Sequence, residues 1–291
     1  MAVRRFSFLD IFANVVVTAA TLVCILPFIY VVSVSLTDPS VYVPFRLEII
    51  PRKISFTIYR YILSTPQFLS ALKSTVYITI AGTLINIVVT FSMAWGLTKR
   101  GLPHRNIIMG VVIFALLFDV GLIPNYLLVR SLGLMNTYWS IFLPVATNSW
   151  SLIVARSFLD SIPGELEESA KIDGCSDITV FARIIMPLSA AAVATLTLFF
   201  AVGHWNVYIR PMIYISDSAK RTLQVYVRSL VVDASVGGAG NAQSLGLEED
   251  ALPSETIRLA TVVLAMLPIL IVYPFLQRYF MKGVMLGSVK G

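Results

Sequence analysis

Six long apolar stretches constrain this chain more than any other feature: residues 11–36, 69–97, 107–129, 137–158, 184–205 and 257–280. A helix rises about 1.5 Å per residue and a bilayer's hydrocarbon core is about 30 Å thick, so about 20 mostly apolar residues suffice to cross it. Each stretch meets that length, and the expected fold class is all-α, a polytopic membrane protein with six transmembrane helices. Composition agrees, with 57% hydrophobic and only 13% charged residues and a mean hydropathy of +0.82. A soluble domain carries roughly twice that charge. Its surface could not absorb this apolar excess without sticky patches, so a soluble enzyme is excluded.

An even number of crossings puts both termini on one side. Arg4, Arg5, Lys99, Arg100, Arg105, Arg278, Lys282 and Lys290 fall on that side, which the positive-inside rule makes cytoplasmic. Cations also occur in the two long outer loops, 37–68 and 206–256, so the bias lies in their density. The net charge of +6 is then assigned to loops facing anionic lipid headgroups and not to nucleic-acid binding. The first apolar run is too long for a cleavable signal and lacks a small-x-small site. Cys24 and Cys175 lie far apart in the topology and are expected to be free thiols.

Scarce polar groups mark candidate sites. Asp119, within the third stretch, is a functional hypothesis because an acid inside a membrane is expensive. The alternative is that Gly121 and Pro124 break the helix and Asp119 satisfies freed backbone donors. Trp205, Asn206, Tyr208 and Arg210 at the outer end of the fifth stretch suit sugar stacking or contact with a binding protein, although an interfacial aromatic belt explains Trp205 and Tyr208 equally well. The outer glycines Gly237, Gly238 and Gly240 permit an extended probing loop or a plain flexible connection.

The informative segment is the inner loop 159–183. Pro163 suits a helix start, Glu165, Glu167 and Glu168 crowd a first turn where the dipole favours anions, and Gly174 sits where a helix stops. Glu167 and Lys171 form an i,i+4 pair. Ser176 and Asp177 can cap a second helix running toward Pro187. Leu166 and Ala170 share a face, so this helix-turn-helix suits docking in a partner's cleft, or packing as an amphipathic hairpin on its own bundle or on lipid.

Glu168-Ser169-Ala170, three residues, Gly174, nine residues, then Ile184-Ile185-Met186-Pro187 resembles the EAA signature, E-A-A-x3-G-x9-I-x-L-P, of binding-protein-dependent ABC importer permeases. Ser169 replaces the middle Ala and Met186 the Leu, both conservative in size. The six-helix plan, Ile123-Pro124-Asn125-Tyr126 and the tail from Gln277 to Gly291 resemble the maltose-type oligosaccharide permeases, second-subunit kind. Gly121-Leu122-Ile123-Pro124 with the Gly-Ser-Val-Lys-Gly ending is similar to the branch importing polysaccharide-derived, uronate-containing oligosaccharides such as alginate.

The resemblance implies a single permease domain of type I ABC importer fold in the bacterial cytoplasmic (inner) membrane. It implies Glu165, Glu168, Ser169, Ala170, Asp173, Gly174, Ile184 and Pro187 as the ATPase-coupling residues, with Ala170 permitting close approach of the ATPase. Lys282, Gly287 and Lys290 would belong to a tail reaching the ATPase, for which a frayed terminus is the plain alternative. It further implies two ATPase subunits, a homologous permease completing a heterodimer, and an extracytoplasmic solute-binding protein docking on loop 206–256. No Walker-type Gly-x4-Gly-Lys-Ser/Thr occurs, so ATP and Mg are expected on the separate ATPase and no cofactor or catalytic residue here. A neutral oligosaccharide is the alternative substrate. An ion-coupled secondary transporter is the alternative class, supported only by Asp119 and lacking a convincing internal repeat. A membrane-embedded enzyme finds no metal or Ser-His-Asp cluster, since His104 and His204 lie near opposite faces.

Overall fold

In a computed structural model the described residues are 8–44, 46, 48–99, 101–235 and 254–288. In chain order the helices are α1 (Phe8–Leu36), α2 (Thr57–Ser64), α3 (Pro66–Thr98), α4 (Arg105–Leu117), α5 (Leu122–Ser131), α6 (Trp139–Phe142), α7 (Ser149–Leu159), α8 (Glu165–Ile172), α9 (Asp177–Val180), α10 (Met186–Leu188), α11 (Ala190–Trp205), α12 (Ile209–Tyr214), α13 (Leu223–Ser235) and α14 (Ser254–Ser288). The chain is all-α: among the described residues β-pairing is limited to one isolated bridge, Thr37 with Ile54. The chain divides into two compact units, Met1–Leu69 with Val227–Leu267 and Ser70–Tyr226 with Pro268–Gly291.

In the first unit α1 exposes its apolar side chains along most of its length, from Phe12 to Ile29, as a helix bathed in hydrocarbon would. Among its described side chains the buried ones are Ser33, Val34 and Ser35, with Ser35 hydrogen-bonded to Tyr59 at 2.7 Å. The loop beyond is clipped by Lys53 Nζ on Asp38 at 2.8 Å. The hydrogen bond from Lys53, helped by two from Ser40, holds the Asp38 carboxyl down to about 2.

Among the described residues three helices are long and apolar enough to cross a membrane, in α1, α3 and the Glu255–Val272 part of α14, and a fourth arises if the bent pair Asp177–Leu188 and Ala190–Trp205 counts as one. The expected continuous helices over 107–129 and 137–158 are not continuous. The third stretch is split into α4 and α5 at residues 118–121, where Gly121 takes a φ of +79°. The fourth is α6, a 3₁₀ turn Leu143–Val145 containing Pro144, and then α7. The fifth bends by 83° after a π-helical turn, Phe181–Ile185, and Pro187. Proline lacks an N–H and its ring clashes with the preceding turn, so the helix widens and then turns.

Broken backbone in a membrane protein needs partners. In the second unit the fourth stretch finds them partly on α3, where Asn86 Nδ2 donates to the Val145 carbonyl and the Thr90 hydroxyl meets that of Thr147 at 2.8 Å, and partly within itself, where Asn148 caps α7 by accepting from the Ser151 N–H at 2.8 Å. Around these contacts Phe91, Ala94 and Leu97 of α3, Leu152 and Ala155 of α7 and Leu196 of α11 form one buried cluster. Loop 206–256 is also more ordered than a plain loop, since α12, α13 and a short 3₁₀ turn occupy its first half.

Candidate functional site

The EAA-like segment folds as two helices held on that cluster. α8 spans eight residues, about 12 Å at 1.5 Å per residue. Its first turn carries Glu165, Glu167 and Glu168, a placement that the helix dipole favours. It stops in a Schellman turn: the Cys175 N–H bonds the Ala170 carbonyl at 2.9 Å and the Gly174 N–H bonds the Lys171 carbonyl at 3.0 Å. That motif requires a left-handed residue, and Gly174 supplies it with a φ of +80°. Ser176 then caps α9, its hydroxyl accepting from the Thr179 N–H at 3.3 Å.

Three buried residues pin the hairpin: Ala170, Val180 and Ile185, all in the cluster with Leu97 and Leu159, while Ile184 packs half-buried at its edge. This corrects the expectation for Ala170. Its small side chain, 7% exposed, lets the hairpin approach its own bundle. Leu166 does not share that buried face and is 44% exposed. The outward surface comprises Glu165, Leu166, Glu168, Ser169, Asp173 and Pro187. Two isoleucines, Ile172 at 86% and Ile178 at 80% exposure, stand on either side of the Gly174 turn. Sequence reasoning overlooked them because single isoleucines in an apolar chain carry no signal; their exposure beside five acids is the signal.

The three glutamates are not equivalent. Glu167 is half-buried, paired with Lys99 at the end of α3 and with Lys171 at 3.1 Å, and Lys171 reaches Asp177 at 3.1 Å. Burial alone would raise the Glu167 pKa, but hydrogen bonds from Lys99 and Lys171 outweigh it and hold the carboxyl below its ordinary value. Hydrogen bonds to Asp177 and Glu167 raise Lys171. Lys99 served in the sequence only as a marker of topology; its pairing requires a contact 68 residues away.

The remaining candidates do not join this site. Asp119 lies in the break between α4 and α5 and accepts from the Gly121 N–H at 3.1 Å, the backbone-satisfying arrangement. Trp205 is buried and lines a cavity of about 160 Å³ whose walls, Val76, Ile80, Leu198 and Ile269 among them, are apolar, which does not suit sugar hydroxyls. Asn206 caps α11 and donates to the Val202 carbonyl at 2.9 Å. The Tyr208 hydroxyl lies 2.7 Å from Met212 Sδ, and Arg210 is half-buried on α12. Gly237, Gly238, Gly240 and Lys290 lie outside the described residues. Lys282 and Gly287 fall on the last turns of α14.

The apolar helices and the charged, capped pair α8–α9 carried on the α3, α7 and α11 cluster are the features to set beside known membrane proteins. The chain belongs to the family described as the binding-protein-dependent transport system inner membrane component, whose model matches residues 1–285. It is 43% identical over 270 residues to the polygalacturonan/rhamnogalacturonan transport system permease protein YtcP of Bacillus subtilis (strain 168), covering 93% of this chain and 94% of that protein. It is 44% identical over 270 residues to Protein LplC of the same strain, covering 92% and 90%. It superposes with a TM-score of 0.86 and 29% identity, covering 96% and 100%, on a chain in the crystal structure of a bacterial ABC transporter involved in the import of the acidic polysaccharide alginate.

Proposed function

We propose that this chain is one of two permease subunits of an ATP-driven importer for acidic, uronate-containing oligosaccharides, crossing the cytoplasmic membrane six times with both termini inside. The observation that carries the coupling reading is the exposed acidic hairpin with its Schellman turn at Gly174, at the position of the EAA-like signature. In this reading the broken stretches over 107–129 and 137–158 are still crossings, with Asn125 donating to the Gly121 carbonyl in the first and Asn86 of α3 donating to the Val145 carbonyl in the second. The hairpin seats in a cleft of a separate ATPase: Glu165 and Glu168 meet donors there, Ser169, Asp173 and the Gly174 turn face it, Ile172 and Ile178 insert as an apolar knob, and Ile184 and Pro187 carry the movement into α11. Lys282, Gly287 and Lys290 extend toward the same ATPase. Closure of the ATPase dimer drives a rocking of this permease against a homologous partner, and the central cavity opens alternately outward and inward.

The substrate assignment rests on the polygalacturonan/rhamnogalacturonan and alginate systems named above, and on cations near the outer face, Arg130, Arg210, Arg221 and Arg228. Such cations raise the local concentration of a polyanion. Loop 206–256, with Gly237, Gly238 and Gly240, receives the solute-binding protein. Charge reversal at Glu168 tests the coupling: in the reconstituted complex, Glu168→Lys leaves membrane insertion intact and lowers binding-protein-stimulated ATP hydrolysis about tenfold or more, the scale expected for losing one desolvated charge contact at an interface. Stimulation at the parent level would overturn the assignment.

A further inference from the structure

The coupling reading leaves open how a moving hairpin drags the membrane helices with it, and the geometry around Lys99 supplies a means. Beneath the first turns of α8 lies a cleft of about 590 Å³, walled by Trp95, Thr98 and Lys99 of α3, by Leu159 and Asp160, and by Glu165 and Glu167. Apolar packing fixes the hairpin through the buried Ala170, Val180 and Ile185, with Cys175, Phe181, Ile184 and Met186 half-buried beside them, while Glu165, Glu167 and Glu168 of the first turn of α8 border the cleft. Across that gap Glu167 Oε2 pairs with Lys99 Nζ. The Glu167 side chain is only 19% exposed and its other oxygen is taken by Lys171, so Glu167 is not presented to a partner as the exposed Glu165 and Glu168 are.

The contacts close a ring. Lys99 Nζ sits 4.0 Å from the centroid of the Trp95 ring, a cation–π contact, and Trp95 packs on Phe181 with centroids 5.2 Å apart. Phe181 begins the π-helical turn of the hairpin's second helix, whose start at Asp177 returns through Lys171 to Glu167. The last turn of α3 is thus gripped by both helices of the hairpin at once, by charge on one side and by an aromatic face on the other.

Resting on the coupling role of this hairpin, we propose that Lys99 and Glu167 form a positioning tether that makes α3 and the hairpin travel as one body, so that motion imposed on the hairpin is transmitted to α3 as well as to α11. The tether does not itself touch the ATPase or the sugar. Without it α8 swings across the cleft while α3 lags, and hydrolysis proceeds with fewer substrate molecules imported.

The test uses the complete importer in proteoliposomes and reads the number of oligosaccharides imported per ATP hydrolysed. Glu167→Gln is expected to lower that ratio about fivefold or more, the lower end of ordinary coupling strengths, with the complex still assembling. In a Cys24→Ser, Cys175→Ser background, Lys99→Cys with Glu167→Cys is expected to show the same loss, and a short bifunctional maleimide joining the two new thiols is expected to restore the ratio. A ratio unchanged in Glu167→Gln overturns the proposal. So does a cross-link that forms and abolishes import, because the two residues would then have to separate in the cycle. A parent complex that imports nothing on ATP would instead refute the underlying importer reading.

Discussion

Gly82 is a glycine because His204 occupies the space beside it. A Cβ there would lie 2.6 Å from the imidazole, in a node where His204 Nε2 donates to Asn86 Oδ1 at 2.5 Å and Asn86 Nδ2 donates to the Val145 carbonyl. Close backbone approach and polar contacts between helices are how membrane bundles gain specificity where apolar burial offers little drive. Gly82→Ala is therefore expected to cost about 1–3 kcal/mol by overpacking, read as a lowered Tm of the detergent-solubilised complex; an unchanged Tm would mean that the ring gives way freely. Neither His204 nor Gly82 stood out in the sequence, because the two lie 122 residues apart and only folding brings them together. The acidic cluster behaved differently. Its presence was legible at once, but the division of labour between Glu167 and its neighbours was not, since it depends on which way each side chain leaves α8 and on a lysine from another element.

At the level of elements, the hairpin was readable because local rules specify it: a glycine at the left-handed stop, a serine cap, acids in the first turn. The break in the third stretch was one of the two readings of Gly121 and Pro124, whereas those in the fourth and fifth were not read, although Pro144 and Pro187 are visible in the sequence. An apolar window counts residues and does not ask where freed carbonyls find donors; for the Val145 carbonyl the answer, Asn86 on α3, is tertiary. The hairpin's charge network also sets its pH behaviour. Glu167 has its pKa lowered, so its contribution is present above the ordinary glutamate value and is lost as acid takes the pH through the lowered value. Lys171 has its pKa raised, so its contribution is present below the ordinary lysine value and is lost as the pH rises through the raised one. Between those limits, about pH 4.3 to 10.4, both stay charged. Substrate imported per ATP is accordingly expected to be flat from about pH 6 to 8 in proteoliposomes, and a steep change within that window would contradict the network's role.

Taken as a whole, the chain exposes long runs of apolar side chains and gathers its acids on the α8–α9 hairpin. α1 exposes Phe12, Val17 and Val23, and α4 exposes Ile107, Phe114 and Leu117, surface that water would not tolerate on a monomer. That division was legible from hydropathy alone, and membership in the permease family follows from the match over residues 1–285. Substrate identity was less legible, because among the described residues the candidate aromatic and polar groups Trp205, Asn206 and Tyr208 serve packing and capping. An importer of the proposed kind is driven by ATP and by a loaded binding protein. The direct measurement is uptake of a labelled oligogalacturonate into proteoliposomes bearing the full complex, with ATP and binding protein varied independently and a protonophore present or absent. Uptake that requires both ATP and the binding protein, and ignores the protonophore, is the predicted result; uptake that follows the proton gradient and proceeds without ATP would contradict it.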